Sequence, residues 1–228
     1  MTSRGEADFV KFPPIAAKLY DQMMQAKATG RQYVEIAADL ASRIQEGCLL
    51  DIGTGPGCLL LEIHKLNPAI QLFGLDISPA MIAQAQKTLS GLGVELKLGN
   101  IQKTVYPNDF FDLITCSGSF YLWDEPEESL NEVYRILKPG KTALLYETHR
   151  DYDEGEIHKA VAANLKGENL FRKLTMPRFL MQQLKMTYHQ EEIIQIIENT
   201  RFSKDYQLEP IIISNLPIWL RIVLEKKS

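Results

Sequence analysis

Three glycines at alternate positions, Gly53, Gly55 and Gly57, follow an acid at Asp51 and an apolar pair, Leu49 and Leu50. The run Leu49-Leu50-Asp51-Ile52-Gly53-Thr54-Gly55-Pro56-Gly57 reads as a buried strand that breaks into a turn. The apolar stretch Cys58-Leu59-Leu60-Leu61 then suits the buried face of a helix. Glycine permits positive φ and lets bare backbone approach a ligand, so strand, turn and helix form a cradle for a nucleotide-like molecule. The dinucleotide fingerprint is G-x-G-x-x-G, which this spacing does not match. A carboxylate two residues before the first glycine would repel a diphosphate and attract an ammonium group, by a few kcal/mol at an effective dielectric of about 20.

A second acid sits in a similar setting. Leu72-Phe73-Gly74-Leu75-Asp76 reads as a strand ending in a carboxylate, and Ser78-Pro79 supplies an N-cap and a proline at the first helical position. An acid just beyond the carboxyl end of a parallel strand can accept hydrogen bonds from both ribose hydroxyls. Val94 to Asn100 alternates apolar and polar residues as a third strand would. Phe111 to Ser117 reads as a fourth strand, and the Leu137-Lys138-Pro139-Gly140-Lys141 turn feeds a fifth, Thr142 to Thr148.

On these motifs the chain resembles the class I S-adenosylmethionine-dependent methyltransferases, in the small-molecule (methyltransferase type 11-like) group whose first motif is hhDhGTGPG, from about Tyr20 to about Glu225. The resemblance implies S-adenosylmethionine as cofactor and S-adenosylhomocysteine as product. It implies cofactor contacts from Tyr20, Asp51, Gly53, Thr54, Gly55, Gly57, Asp76, Ile77, Met81, Asn100, Ile101 and Ser117. Asn100 stands where the family usually has aspartate; an amide can still pair with an adenine edge. The bland readings are a tight strand-to-helix turn for the glycines, a helix-start acid for Asp76 and simple punctuation for Lys138-Pro139-Gly140.

The elements that must position these residues alternate along the chain. Two helices, Ile15 to Met24 and Tyr33 to Ile44, come first, with Ala28-Thr29-Gly30 between them. Strands near 48–52, 71–75, 94–98, 112–117 and 142–147 then alternate with helices near 57–66, 79–89 and 127–137. That rhythm indicates an α/β fold with a doubly wound, mostly parallel sheet. The resemblance extends it to a Rossmann-like, seven-stranded sheet with an antiparallel last strand, its final hairpin near Ser203–Leu208 and Trp219–Leu224. Residues 1–228 then form a single domain: N-terminal helices over 1–46, a cofactor-binding core over 47–149, a helical lid insertion over 150–188, and the last helix and hairpin over 189–228. Helical periodicity recurs in the insertion at Ile157-Ala160-Val161-Leu165 and at Phe179-Leu180-Leu184. Its basic residues, including Lys159, Lys166, Arg172, Lys173, Arg178 and Lys185, suit either an acidic acceptor or a solvated helix face.

In-line displacement at a sulfonium methyl asks above all for alignment, and no metal. A hydroxyl or acidic carbon acceptor would also need a base, for which His149 and Asp124 are the catalytic candidates, His149 because imidazole titrates near neutrality. Phe120, Tyr121 and Trp123 either line the methyl region or pack in the core. A net charge of −4 gives no general attraction for nucleic acid. Pro210 to Leu224 is too interrupted to span a membrane. Three cysteines without C-x-x-C spacing and no secretory signal at Met1 to Lys11 fit reduced thiols in the cytoplasm. The expected partner is a small-molecule methyl acceptor; oligomeric state is not legible. A cofactor-binding protein without catalysis and a nicotinamide oxidoreductase stand as alternatives.

Overall fold

The computed structural model describes residues 27–228 apart from residue 168. The expected helix over Ile15 to Met24, and Tyr20 with it, lie outside the described residues. Chain order is α1 (Lys27–Arg43), β1 (Gly47–Ile52), α2 (Cys58–Leu66), β2 (Ile70–Asp76), α3 (Pro79–Thr88), β3 (Glu95–Leu98) and β4 (Phe111–Ser117). A short 3-10 turn (Phe120–Leu122) precedes α4 (Pro126–Ile136) and β5 (Leu137–Thr148). Then follow α5 (Glu154–Asn164), α6 (Leu170–Leu184), α7 (Gln190–Glu198), β6 (Tyr206–Ile213) and β7 (Leu216–Lys226).

The seven strands lie in the order β3-β2-β1-β4-β5-β7-β6. β1 to β5 are mutually parallel, and β7 runs antiparallel to both its neighbours. Consecutive parallel strands need crossover helices, and those helices bury both sheet faces. On one face Leu130, Val133 and Ile136 of α4 and Ile193, Ile196 and Ile197 of α7 pack on Phe111, Ile114 and Leu145. On the other, Ile36, Ala37 and Leu40 of α1 and Leu59, Leu60 and Ile63 of α2 pack on Leu49, Leu144 and Tyr146. The order reverses between β1 and β4, which opens a crevice beyond their carboxyl ends.

Three local expectations are corrected. Ala28-Thr29-Gly30 is not a linker but lies within α1, because a single glycine in a helix costs only about 1 kcal/mol and the buried stripe of Ile36, Ala37 and Leu40 outweighs it. The Lys138-Pro139-Gly140 turn is a bulge inside β5. Leu137 pairs with Phe111 and Thr142 with Leu113, and Gly140 takes φ +72° to absorb the excess chain. The final hairpin closes on Ser214-Asn215, both with positive φ (51° and 61°), so its first strand starts and ends later, and its second starts earlier, than the resemblance implied. Two successive positive-φ residues make the tight turn that suits a twisted hairpin, and asparagine tolerates that conformation.

Tyr146 anchors α1 to the sheet: its hydroxyl donates to Asp39 Oδ2 at 2.5 Å, and Arg221 of β7 pairs with Asp39 at 2.7 Å and Glu209 of β6 at 2.6 Å. Burial acts to raise the Asp39 pKa, but the Tyr146 hydroxyl, then Arg221 and Arg43, hold it below the usual carboxylate range. No helix among the described residues is long and apolar enough to cross a membrane.

Candidate functional site

The three glycines of the first turn have three different reasons to be glycine. All take positive φ (+69°, +54° and +82°). The Gly53 and Thr54 amides both donate to Leu75 O, at 2.8 and 3.1 Å, so the turn is stitched to the end of β2. A Cβ on Gly53 would lie 2.2 Å from Ser119 Oγ, in the loop that follows β4. One on Gly57 would lie 2.7 Å from Leu89 Cδ1, so Gly57 lets α2 approach the end of α3. At Gly55 such an atom would meet no protein atom within 4 Å. That glycine faces open space at the switch point, and there bare backbone can approach a ligand.

Asp76 closes this turn. Its Oδ2 accepts from Gly55 N and its Oδ1 from Ser78 N, both at 2.8 Å, which aims the remaining lone pairs away from the backbone. The residue is 9% exposed; burial raises its pKa, while the Ser78 and Gly55 amides act to lower it. Asp51, 2% exposed, is pushed up to about 7 by burial first, with the negative charge of Asp76 adding to the rise and the Thr54 hydroxyl opposing it. Ile77, next to Asp76, is 53% exposed, an apolar face at the rim. Met81, half-buried on α3, donates its amide to Ser78 Oγ at 3.4 Å. Asn100 Oδ1 accepts from Gln102 N at 2.9 Å, an Asx turn that leaves one carbonyl lone pair and the amide hydrogens for another partner. The Ile101 side chain is buried in the core, so only its backbone can reach a ligand.

Beyond β4 and β5 the geometry sorts the remaining candidates. Phe120 is fully buried against Trp123 and Tyr188, with ring centroids at 5.1 and 5.7 Å, and Tyr121 is buried as well. Phe120 is thus a packing residue. Asp124 is exposed. His149 is buried, its amide bonded to Ile218 O at 3.1 Å, and its Nδ1 accepts from Asp151 N at 3.1 Å. Such a bond assigns the neutral tautomer with the hydrogen on Nε2. Burial pulls the imidazole pKa below its ordinary value, against the pull of the Asp151 carboxylate. A nitrogen-15 spectrum at pH 7 is expected to show His149 neutral with Nε2 protonated; an imidazolium there would contradict this arrangement.

The profile of the methyltransferase domain family matches residues 50–145, which run from β1 through the glycine turn and Asp76 into β5. Over that stretch the chain is similar to the methyltransferase domain family and to several methyltransferases. It is 30% identical over 105 residues to the uncharacterised methyltransferase YdaC of Bacillus subtilis, covering 46% of this chain and 58% of that one. It is 28% identical over 148 residues to the ubiquinone/menaquinone biosynthesis C-methyltransferase UbiE of Desulfotalea psychrophila, covering 64% and 60% of the two. The chain thus spans about three fifths of the length of these relatives. Its fold is that of the plantazolicin methyltransferase BpumL, solved in complex with a triazolic desmethylPZN analog and SAH, at TM-score 0.71 and 17% identity over 95% of this chain and 92% of that one.

In the structure, Asp51, Gly53, Thr54, Gly55, Asp76 and Ser117 converge on the ends of β1, β2 and β4. Ile77 and Met81 follow on the β2 side, and Asn100 and Ile101 beyond β3. Tyr20 lies outside the described residues, and Asp124 has no described hydrogen bond or ion pair to orient it. The described residues hold no group of three His, Cys, Asp or Glu side chains able to bind a metal ion, and the three cysteines are thiols that form no disulfide. A polar cleft lined by Glu46, Gly47, Gln71, Asp112 and Lys141 sits at the opposite, amino edge of the sheet. Of its two acids, Asp112 is paired with Lys138 at 2.7 Å.

Sequence reasoning missed Glu147. Its Oε1 accepts from Phe120 N at 2.8 Å and from the Cys116 thiol at 3.7 Å, while Oε2 is buried without a partner. It therefore holds the loop after β4, whose Ser119 in turn presses on Gly53 and donates to Ile52 O at 3.2 Å. The signal was present: an acid at the end of the apolar run Ala143 to Tyr146 repeats the Leu49-Leu50-Asp51 pattern. Burial pushes Glu147 from 4.5 up to about 8, against the opposing Phe120 and Ser119 amides. The unfolded chain loses this proton first, so the stability it supports is complete below about 4.5 and declines until about 8. Urea unfolding across that range should show the decline. Glu147→Gln should abolish its upper part between about 7 and 8, leaving the part below 7 that belongs to Asp51.

Proposed function

We propose that this chain transfers a methyl group from S-adenosylmethionine to a small-molecule acceptor. The observation that carries the reading is the Asp76 carboxylate, held at both oxygens by the Gly55 and Ser78 amides beside an open glycine turn at the switch point. The residues fit the cofactor. Asp76 offers lone pairs to a ribose diol, Ile77 an apolar face to an adenine ring, and Asn100 with the Ile101 amide a polar edge beside it. Asp51 offers a carboxyl group to the ammonium of the amino-acid portion, and Tyr20 is our candidate for its carboxylate. The bound cofactor supplies an electrophilic methyl group on a sulfonium.

What the protein contributes is placement and exclusion of water. The glycine turn and the Gly118–Phe120 loop, braced by Glu147, fix one side of the crevice, and α5 and α6 are proposed as a lid on the acceptor side. Because His149 Nδ1 already accepts a backbone hydrogen bond, its Nε2–H is set to donate to an acceptor oxygen rather than to withdraw a proton. Asp124 is left as the base candidate for acceptors that must lose one. Similarity to the ubiquinone/menaquinone biosynthesis C-methyltransferase UbiE supports a small molecule in preference to nucleic acid. Three cysteines outside any disulfide, with Cys116 kept protonated by burial, support a reducing, cytoplasmic setting.

Calorimetric titration with S-adenosylhomocysteine, followed by transfer of labelled methyl to a panel of phenols, quinones, amines and carboxylates, tests the proposal. Micromolar binding and label in a product are expected; absence of binding would refute it. Because Asp51 is half-protonated near pH 7 in the free protein, ammonium binding should expel a proton. Affinity is expected to rise between about pH 6 and 7.5, with proton release detectable from buffers of different ionisation enthalpy.

A further inference from the structure

Among the polar atoms buried without a partner at the carboxyl end of the sheet are Ser117 Oγ, Thr148 Oγ1, Arg150 Nε and Trp219 Nε1. Each such atom costs about 1–3 kcal/mol if it stays unpaired, and native proteins seldom leave several together without a reason. Their positions explain one another. Thr148 is the residue opposite Trp219 in the antiparallel β5–β7 pairing, so their side chains stand side by side on one sheet face. Ser117 pairs with Tyr146, two residues before Thr148 and on that same face. Arg150 follows Thr148 by two residues, where its amide bonds Tyr188 O at 3.0 Å. Thr148 and Trp219 are 4% and 6% exposed, so neither polar atom is satisfied by bulk water.

The balance of hydrogen-bonding types points to a ligand of one kind. An indole N–H and a guanidinium can only donate, while the two hydroxyls can do either. The nearby carboxyl groups do not offset this surplus. Glu147 alternates to the opposite sheet face, where its Oε1 takes Phe120 N and Cys116 and its unpaired Oε2 points away from this cluster's face. Asp151 is taken by His189 at 2.6 Å and by Gln190 N at 2.7 Å. No described carboxylate pairs with Arg150. The place also suits an acceptor, since it adjoins Ser117 at the end of β4 and continues past the glycine turn toward β7.

We propose that Thr148, Arg150 and Trp219 form an acceptor subsite that binds an oxyanion of the methyl acceptor, a carboxylate or phenolate, with Ser117 at its border with the cofactor. The assignment rests on the methyltransferase reading and gives it a substrate class. The donors would hold the anionic oxygen and so orient the ring or chain that bears it toward the methyl group.

The chain has two tryptophans, Trp123 and Trp219, so indole N–H resonances report the site directly, and Trp219→Phe assigns them. The protein saturated with S-adenosylhomocysteine is titrated with benzoate, with 4-nitrophenolate and with benzyl alcohol. The Trp219 resonance should move with one or both anions, which tells carboxylate from phenolate, while that of Trp123 stays and benzyl alcohol has no effect at equal concentration. Thr148→Val and Arg150→Gln should each weaken the anion by about tenfold, with S-adenosylhomocysteine affinity unchanged and melting temperature not lowered. A Trp219 resonance indifferent to both anions, or equally responsive to benzyl alcohol, overturns the subsite and leaves the buried donors to ordered water. Failure of S-adenosylhomocysteine to bind would instead overturn the methyltransferase reading, and the anion titration on free protein would still read the pocket.

Discussion

Gly53→Val is expected to remove cofactor binding altogether and to cost the fold about 3 kcal/mol or more. Two penalties combine. At φ +69° a β-branched side chain is strained, by about 1–2 kcal/mol even before contacts are counted. In addition its Cβ would fall 2.2 Å from Ser119 Oγ and 2.7 Å from Ser119 Cβ, and Ser119 cannot retreat freely. Its hydroxyl is bound to Ile52 O, and its loop is held by Glu147 through Phe120 N. Thermal melting and S-adenosylhomocysteine titration measure the two losses separately. Ser119→Gly in the same chain removes the clash and leaves the backbone strain, so the double variant should recover part of the stability. Recovery of none would mean that backbone conformation alone decides the position.

Asp76→Ala should weaken S-adenosylhomocysteine by at least 100-fold, about 3 kcal/mol, while the protein stays folded. The carboxylate does two things that alanine cannot. It receives the Gly55 and Ser78 amides, which shapes the turn, and it keeps lone pairs for the ribose, each charge-assisted bond contributing about 1.5–3 kcal/mol. Asp76→Asn is expected to be nearly as damaging, because one amide N–H of the new side chain would face the backbone N–H of Gly55 or Ser78. Calorimetry on both variants decides the matter. An unchanged dissociation constant in Asp76→Ala would place the ribose contact on another residue.

Legibility in the sequence followed how local the physics was. The strand–acid–glycine pattern of Leu49 to Gly57 and the strand–acid–cap pattern of Leu72 to Pro79 were readable, because a buried strand, a positive-φ turn and an N-cap are each decided within a few residues. Helices at both ends of the 150–188 segment were readable from their apolar spacing. Boundaries were less so. Gly30 looked like a break until α1 was seen buried along Ile36, Ala37 and Leu40, and the Ser214-Asn215 turn carried no glycine to announce it.

By itself, the order of residues determined a parallel, doubly wound sheet and the two acids at its carboxyl edge, since apolar runs of strand length separated by helical stripes leave few other ways to bury them. Only the tertiary structure decided which side chains share a surface there. It set Gly57 against Leu89 and Gly55 toward open space, turned His149 into a donor through Asp151 N, put Glu147 behind the loop that presses on Gly53, and stood Thr148 beside Trp219 across seventy residues of chain. Strand register and loop closure are set by the packing of the whole sheet. An unpaired hydroxyl or indole therefore acquires meaning only when its neighbours, distant in sequence, are in place.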